Sequence, residues 1–310
     1  MLHKKNSRVN LALIGVGRWG KNYVSTIDSL NHVRLSYAVT SNLNNKYLLP
    51  KNCILLDDWK RVFEKENIDG VIVATPANLN AKIALAALNA GLPVMIEKPL
   101  ALNVEDAVSI QEMVLKSGLT ILVDHTYLFH SAYDQIKKVL VKKNEIVSIK
   151  SMAWNWGPFR KEVDPLWDYA PHDLAMCLDL LGEFPEHFEV DEVESVKTPN
   201  GIGKMFNIKL KFPTGVVAQI LVGNMRSPKK RYFEVKLKNK EIIFDDLFKY
   251  KLIVRSADEN IPVNFIGEAP LRTAVKTFVK GINGKNDARL GADLSVNVIR
   301  ILNEVDLLLK

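Results

Sequence analysis

The sequence predicts an α/β protein: a doubly wound parallel sheet over residues 1–123, then a second domain over 124–310 with a large, open, mainly antiparallel sheet. Three observations carry this. Short, almost wholly apolar runs alternate with amphipathic stretches through the first 123 residues, the pattern of buried parallel strands and their crossover helices. A Gly-x-Gly-x-x-Gly stands between the first run and the first amphipathic stretch. Beyond residue 145 the hydrophobic period drops to two, and Pro-Asn-Gly, Pro-Thr-Gly and Asn-Lys turns break the chain at short intervals.

The first run, Val9–Ile14, enters Gly15-Val16-Gly17-Arg18-Trp19-Gly20. At a strand-to-helix junction Gly15 makes the tight turn, Gly17 lets a pyrophosphate reach the backbone, and Gly20 lets the helix pack on the strand. The helix over 19–30 points its first amides at that anion. With Arg18 and Trp19 inside it, this turn is the expected dinucleotide seat of a Rossmann domain. The strand Val33–Val39 should end in an acid about 20 residues past the motif if the ribose 2′-hydroxyl of NAD is read. Thr40 and Ser41 stand there instead, and no carboxylate comes before Asp57. Hydroxyls admit a 2′-phosphate and Lys46 can supply charge, so the expected cofactor is NAD(P)(H), leaning to NADP(H).

A helix is expected over 58–66, then a buried strand over 70–74 ending in Thr75-Pro76-Ala77-Asn78. That loop shares the sheet edge of the glycine motif and can pack on the cofactor. Asn78 or Asn80 can start a helix over 81–90 that Gly91 stops. The strand over 93–96 delivers Glu97 and Lys98 to its carboxyl end, where open α/β sheets bind ligands. Pro99 holds Lys98 out of the helical region. A lysine fixed there can lose part of its solvation and act as a proton donor; a plain Glu–Lys surface pair would carry the same letters. Asn103 caps a helix over 107–116 with Asp106 three residues on, Gly118 ends it, and 120–123 is the last of six strands.

Asp124-His125-Thr126-Tyr127 is the expected crossing between domains, which would bring His125 and Tyr127 near the cleft. After a helix over 132–143, strands are expected over 145–155, 187–197, 205–212, 216–223, 232–237, 241–244 and 249–255, as an antiparallel meander. Helices over 270–281 and 290–309 close the chain. One helical island interrupts the meander at 167–181, with Pro171 suited to its first position. His172 would then lie in the first turn, where the helix dipole favours a neutral base. Asp168 stands four residues earlier, a spacing that any capped helix can show.

Composition is ordinary for a globular protein, 47% hydrophobic and 25% charged in 310 residues. The net charge of +7 is spread out, densest at 229–231, with no motif for a nucleic-acid groove. An anionic cofactor or phosphorylated substrate fits it, and nucleic acid is not expected as a partner. Cys53 and Cys177 lie in apolar runs and read as core thiols of a reducing compartment, without zinc spacing; no metal is expected. The polar, basic stretch 1–8 lacks the apolar centre of a signal, and no run approaches membrane-helix length. A cytoplasmic protein with no membrane partner is expected.

Taken in order, GVGRWGKN, ALNAGLPVMIEKPLA, VDHTYLF, LWDYAPHDLAMCLDLLG and PLRTAVKTFVKGI…LGADLSVNVIRILNEV resemble the glucose–fructose oxidoreductase/inositol dehydrogenase family, Gfo/Idh/MocA. The resemblance runs nearly end to end. It implies an oxidoreductase with a Rossmann domain and a second domain whose open sheet often joins homodimers or homotetramers. Carried over, Lys98 is similar to the lysine that contacts the reacting hydroxyl and nicotinamide ribose, and Glu97 to the acid that steadies it. His172 resembles the residue that exchanges the hydroxyl proton, and Asp168 its companion on the substrate. Trp156 and Arg160, in W-x-W-G-P-F-R, join His125 and Tyr127 as expected substrate contacts; the same motifs are similar to members acting on C3 of nucleotide-linked sugars for surface polysaccharides. Alternatives are a free sugar or inositol dehydrogenase, a redox-neutral glycosidase-type enzyme with tightly bound NAD, and a non-catalytic dinucleotide-binding regulator. Two positions depart from the family pattern: Asn80, expected among the cofactor-binding residues, stands where histidine is common, and Thr40 where the acid would be.

Overall fold

The computed structural model describes residues 8–140, 142–161 and 163–310; the start, 1–7, on which the signal reading rests, lies outside them. By internal contacts the chain divides into two units. One runs to Asp124 and takes in Leu271–Val296; the other comprises His125–Pro270 and Asn297–Lys310.

The first unit holds a six-stranded sheet: β1 (Val9–Ile14), β2 (Val33–Val39), β3 (Ile54–Leu56), β4 (Gly70–Val73), β5 (Val94–Glu97) and β6 (Ile121–Asp124). Their order is β3-β2-β1-β4-β5-β6, every pair parallel. The crossovers carry α1 (Gly20–Asp28), α2 (Ala77–Asn89) and α3 (Val104–Ser117). Every residue of β4, β5 and β6 is buried, and apart from Gly70 and the strand-end acids Glu97 and Asp124 all are apolar. Each buried aliphatic side chain among them stabilises by about 1.5–3 kcal/mol. The strand order reverses at β1, so the carboxyl ends of β1 and β4 open on a switch point.

Three local readings need correction. The stretch 58–66 is not an α-helix: Trp59–Glu64 is a 3₁₀ segment, started by the Asp58 carboxylate accepting from the Lys60 N–H at 3.0 Å. The sixth strand is the three-residue β3, too short for periodicity to reveal. Neither Asn78 nor Asn80 caps α2, which begins at Ala77 directly after Pro76 and encloses both. By contrast Asn103 does cap α3, accepting from the Asp106 N–H at 2.7 Å, and Gly118 ends it in the left-handed conformation.

The second unit holds α4 (Ser131–Val139), β7 (Ile146–Trp156), α5 (Pro165–Leu181), β8 (His187–Thr198), β9 (Gly201–Lys211), β10 (Val217–Gly223), β11 (Met225–Leu237), β12 (Glu241–Asp245), β13 (Leu252–Arg255) and β14 (Asn260–Pro262). The sheet order is β14-β13-β12-β11-β7-β10-β9-β8. It is mainly antiparallel but no simple meander, because β7 and β10 are parallel neighbours in its middle. Alternation reports which face a residue takes, not strand direction, and a parallel pair needs a crossover. Here α5 lies within that connection and packs on β7, β9 and β10. The chain closes with α6 (Pro270–Ile282) and α7 (Asp293–Leu308). No helix among the described residues is long and apolar enough to cross a membrane.

Candidate active site

In the first unit the glycine turn leaves β1 and enters α1. Gly15 sits at φ +101°, and a side chain there would strike the Ala74 carbonyl, so glycine is required. A side chain on Gly20 would land on the Gly15 carbonyl, whereas one on Gly17 would meet nothing within 4 Å. The turn is therefore closed on two sides and open at Gly17, with the first amides of α1 behind it. That is the shape a pyrophosphate needs, and the residues present fit a dinucleotide. Arg18 and Trp19 are exposed beside it. The Asn45 amide donates to the Val16 carbonyl at 2.6 Å, bracing the turn from the segment after β2. At the end of β2, Thr40 is buried, its hydroxyl accepting from the Asn42 N–H at 3.2 Å, while Ser41 is exposed.

Lys98 follows β5 directly and is half-buried. Around it the structure assembles more than the sequence disclosed. Glu97 and Asp124 are register partners at the carboxyl ends of β5 and β6, and both are buried. The Tyr23 hydroxyl reaches both, 2.7 Å from Asp124 Oδ2 and 3.1 Å from Glu97 Oε2. A phenol has one proton, so it can donate to only one carboxylate; for the other contact to be a hydrogen bond, that carboxyl must bring its own. Burial and the neighbouring Asp124 push the Glu97 carboxyl well above the usual range, with Lys98 opposing. Burial likewise raises the Tyr23 phenol, helped by Asp124 and Glu97. Thr75 is half-buried and Pro76 exposed in the loop after β4; Asn80 is buried with its amide turned onto the protein.

In the second unit the chemistry-bearing residues gather on α5. The helix starts at Pro165, with Asp164 as its cap accepting from the Leu166 N–H at 2.9 Å. Pro171 is therefore inside the helix, not first, and His172 lies seven residues beyond Pro165. A dipole effect fades within the first turn, so the expected dipole control of His172 does not hold. What survives is the spacing: Asp168 and His172, four apart, share one face of α5. Arg160 Nη1 pairs with Asp168 Oδ2 at 3.1 Å. The Arg160 backbone is set by a bridge to Ile202, and Gly201 (φ +147°) is required because any side chain would strike it.

Two rings flank His172 edge-on: Tyr127, centroids 5.5 Å apart at 84°, and His125, 6.4 Å at 87°. Tyr127 is backed by the Arg231 guanidinium, 3.7 Å from its ring centroid. Arg231 is in turn neutralised by buried Asp173, with Nη1 at 2.7 and 2.8 Å from the two carboxylate oxygens. Thus the densest basic cluster of the sequence, 229–231, is part internal. Arg231, Asp173 and Tyr23 escaped sequence reasoning because a buried charge or phenol looks like any other until its partner is known. Trp156 is exposed, its ring edge-on to Phe159 at 5.6 Å.

The profile of the oxidoreductase family with an NAD-binding Rossmann fold, GFO_IDH_MocA, matches residues 9–125. A crystal structure of a candidate oxidoreductase from Magnetospirillum magnetotacticum MS-1 superposes with a TM-score of 0.90 at 32% identity, over 96% of this chain and 99% of that one. The chain belongs to the Gfo/Idh/MocA oxidoreductase family. Other similar proteins are more distant. The UDP-N-acetylglucosamine 3-dehydrogenase of Acidithiobacillus ferrooxidans shares the fold, with a TM-score of 0.85 at 18% identity over 97% of each chain. The 2,7-anhydro-N-acetylneuraminate hydratase of Escherichia coli K12 is 23% identical over 70% of this chain and 62% of its own length. As a Gfo/Idh/MocA protein the chain is an enzyme of the oxidoreductase class that binds NAD-type cofactors.

Proposed function

We propose that this enzyme moves hydride reversibly between a nicotinamide and a ring carbinol of a sugar, C3 of a nucleotide-linked sugar being the favoured substrate. The observation that carries the reading is the array on α5: a carboxylate and an imidazole one turn apart, with Arg160 on the carboxylate and two rings fixing the imidazole. The sugar dehydrogenases among its relatives support the substrate class.

When bound, the dinucleotide accepts or supplies the hydride. Its seat is the Gly15–Gly17–Gly20 turn, with Thr75 and Pro76 beside it; Thr40, Ser41 and Lys46 support a lean to NADP(H). His172 takes the hydroxyl proton, and Asp168, its charge balanced by Arg160, accepts a hydrogen bond from a substrate hydroxyl. Lys98 is assigned to the same substrate oxygen, donating a hydrogen bond as negative charge develops there. Tyr127, His125 and Trp156 contribute rings for the sugar. We further assign the enzyme to the cytoplasm and to surface-polysaccharide synthesis, as a homodimer or homotetramer joined through the open sheet of the second unit.

Lys98→Ala and His172→Ala should each lower turnover by at least about a hundredfold while NAD(P)H still binds, as read by its fluorescence. Parent-like turnover in either variant overturns the assignment. A redox-neutral reading has one observation in its favour, the hydratase among the relatives. Product formed with no net change in added NAD(P)H would favour it over the dehydrogenase.

A further inference from the structure

Asn80 is 1% exposed, and its side chain makes three hydrogen bonds, all to protein. Nδ2 donates to the Glu97 carbonyl at 2.8 Å and to the Pro99 carbonyl at 2.9 Å. Oδ1 accepts from the Thr75 hydroxyl at 3.0 Å. The two carbonyls belong to the residues on either side of Lys98. Thr75 belongs to the loop that closes on the glycine turn, since a side chain on Gly15 would lie 3.1 Å from its backbone nitrogen. One amide therefore spans the dinucleotide seat and the lysine turn.

We propose that Asn80 is a positioning residue for Lys98: it clamps the backbone on both sides of the lysine and ties that clamp, through Thr75, to the cofactor loop. The inference deepens the hydride-transfer reading and rests on Lys98 as its hydrogen-bond donor. The chemistry of the position is narrow. It needs two N–H donors diverging from one atom and an acceptor beside them, which a primary amide supplies. A neutral imidazole has a single N–H and could serve one carbonyl only; an aspartate has no donor and would face both carbonyls with like charge. The asparagine that departs from the family pattern is thus matched to what it holds, and it has no donor left over for a cofactor.

The test uses the full chain with Asn80→His, Asn80→Asp and Thr75→Val. Each is melted to confirm folding, titrated with NADPH and NADH, and assayed for kcat and KM. Lysines of each protein are also reductively methylated with a ¹³C label, and the Lys98 resonance is identified by its loss in Lys98→Arg. The expected result is a fall in kcat of about ten- to hundredfold for Asn80→His, with dinucleotide affinity kept and the Lys98 resonance displaced. Asn80→Asp should lose more and Thr75→Val less. A folded Asn80→His protein with parental kcat and an unmoved Lys98 resonance overturns the proposal, and so does a loss that merely follows the melting temperature. Should Asn80→Asp not fold, Asn80→His still decides. If the parent turns over no sugar, the hydride-transfer reading fails on its own, and the Lys98 resonance alone then says whether Asn80 sets the lysine.

Discussion

Tyr23 offers one proton to two buried carboxylates, and that imbalance has a measurable consequence. Burial and Asp124 push the Glu97 carboxyl upward, so its folded-state affinity for protons exceeds that of the unfolded chain. A carboxyl shifted upward stabilises the fold fully only below its unfolded pKa, about 4.3, and the contribution is lost as pH rises through the higher folded value. Glu97→Gln, which copies the protonated acid in shape, should therefore gain on the parent in melting temperature as pH rises from about 5 to 8. A gap between the two proteins that stays constant over this range would mean Glu97 is ionised throughout. Tyr23→Phe should be destabilised by about 1–3 kcal/mol in denaturant melts, because Asp124 loses a 2.7 Å donor in a buried site. None of this could be read from sequence, since Tyr23 looks like one more apolar-face residue of α1 and Asp124 like a strand-end acid.

At the scale of the element, α5 shows how a helix boundary alters a chemical argument. Two prolines, Pro165 and Pro171, each suit a first helical position, and only the Asp164 cap decides for the earlier one. The acid–imidazole pair was legible because i,i+4 spacing holds wherever the helix begins. The dipole argument was not, because it depends on the boundary. Asp173, next to His172, anchors the helix to β11 through Arg231. Breaking one half of a buried ion pair costs about 3–5 kcal/mol, whereas replacing both by apolar groups of similar size is often neutral. Arg231→Met alone should therefore lower the denaturation free energy by about 3 kcal/mol or more, and adding Asp173→Leu should recover most of it. A double variant no better than Arg231→Met would show that the pair contributes through its contacts rather than through mutual neutralisation.

For the whole molecule, the parallel sheet of the first unit was legible because burial on both faces writes itself as continuous apolar runs, as in β4 and β5. The second sheet was legible as strands but not as topology, since alternation along β7 and β10 does not report that they run the same way. A ligand that binds only the folded protein raises its stability in proportion to the logarithm of its concentration over Kd. Millimolar NADPH should thus raise the melting temperature more than NADH if the segment after β2 admits a 2′-phosphate; equal shifts would remove the lean to NADP(H). The side-by-side placing of β7 and β10 also bears on how the protein is made. Helix α5 leaves the chain after one of these strands and the second arrives only after β8 and β9, so a ribosome must emit the whole excursion before that pair can zip. Non-local pairings of this kind are slow, and Asp168 and His172 should reach native protection from hydrogen exchange late in refolding, after the glycine turn has already closed.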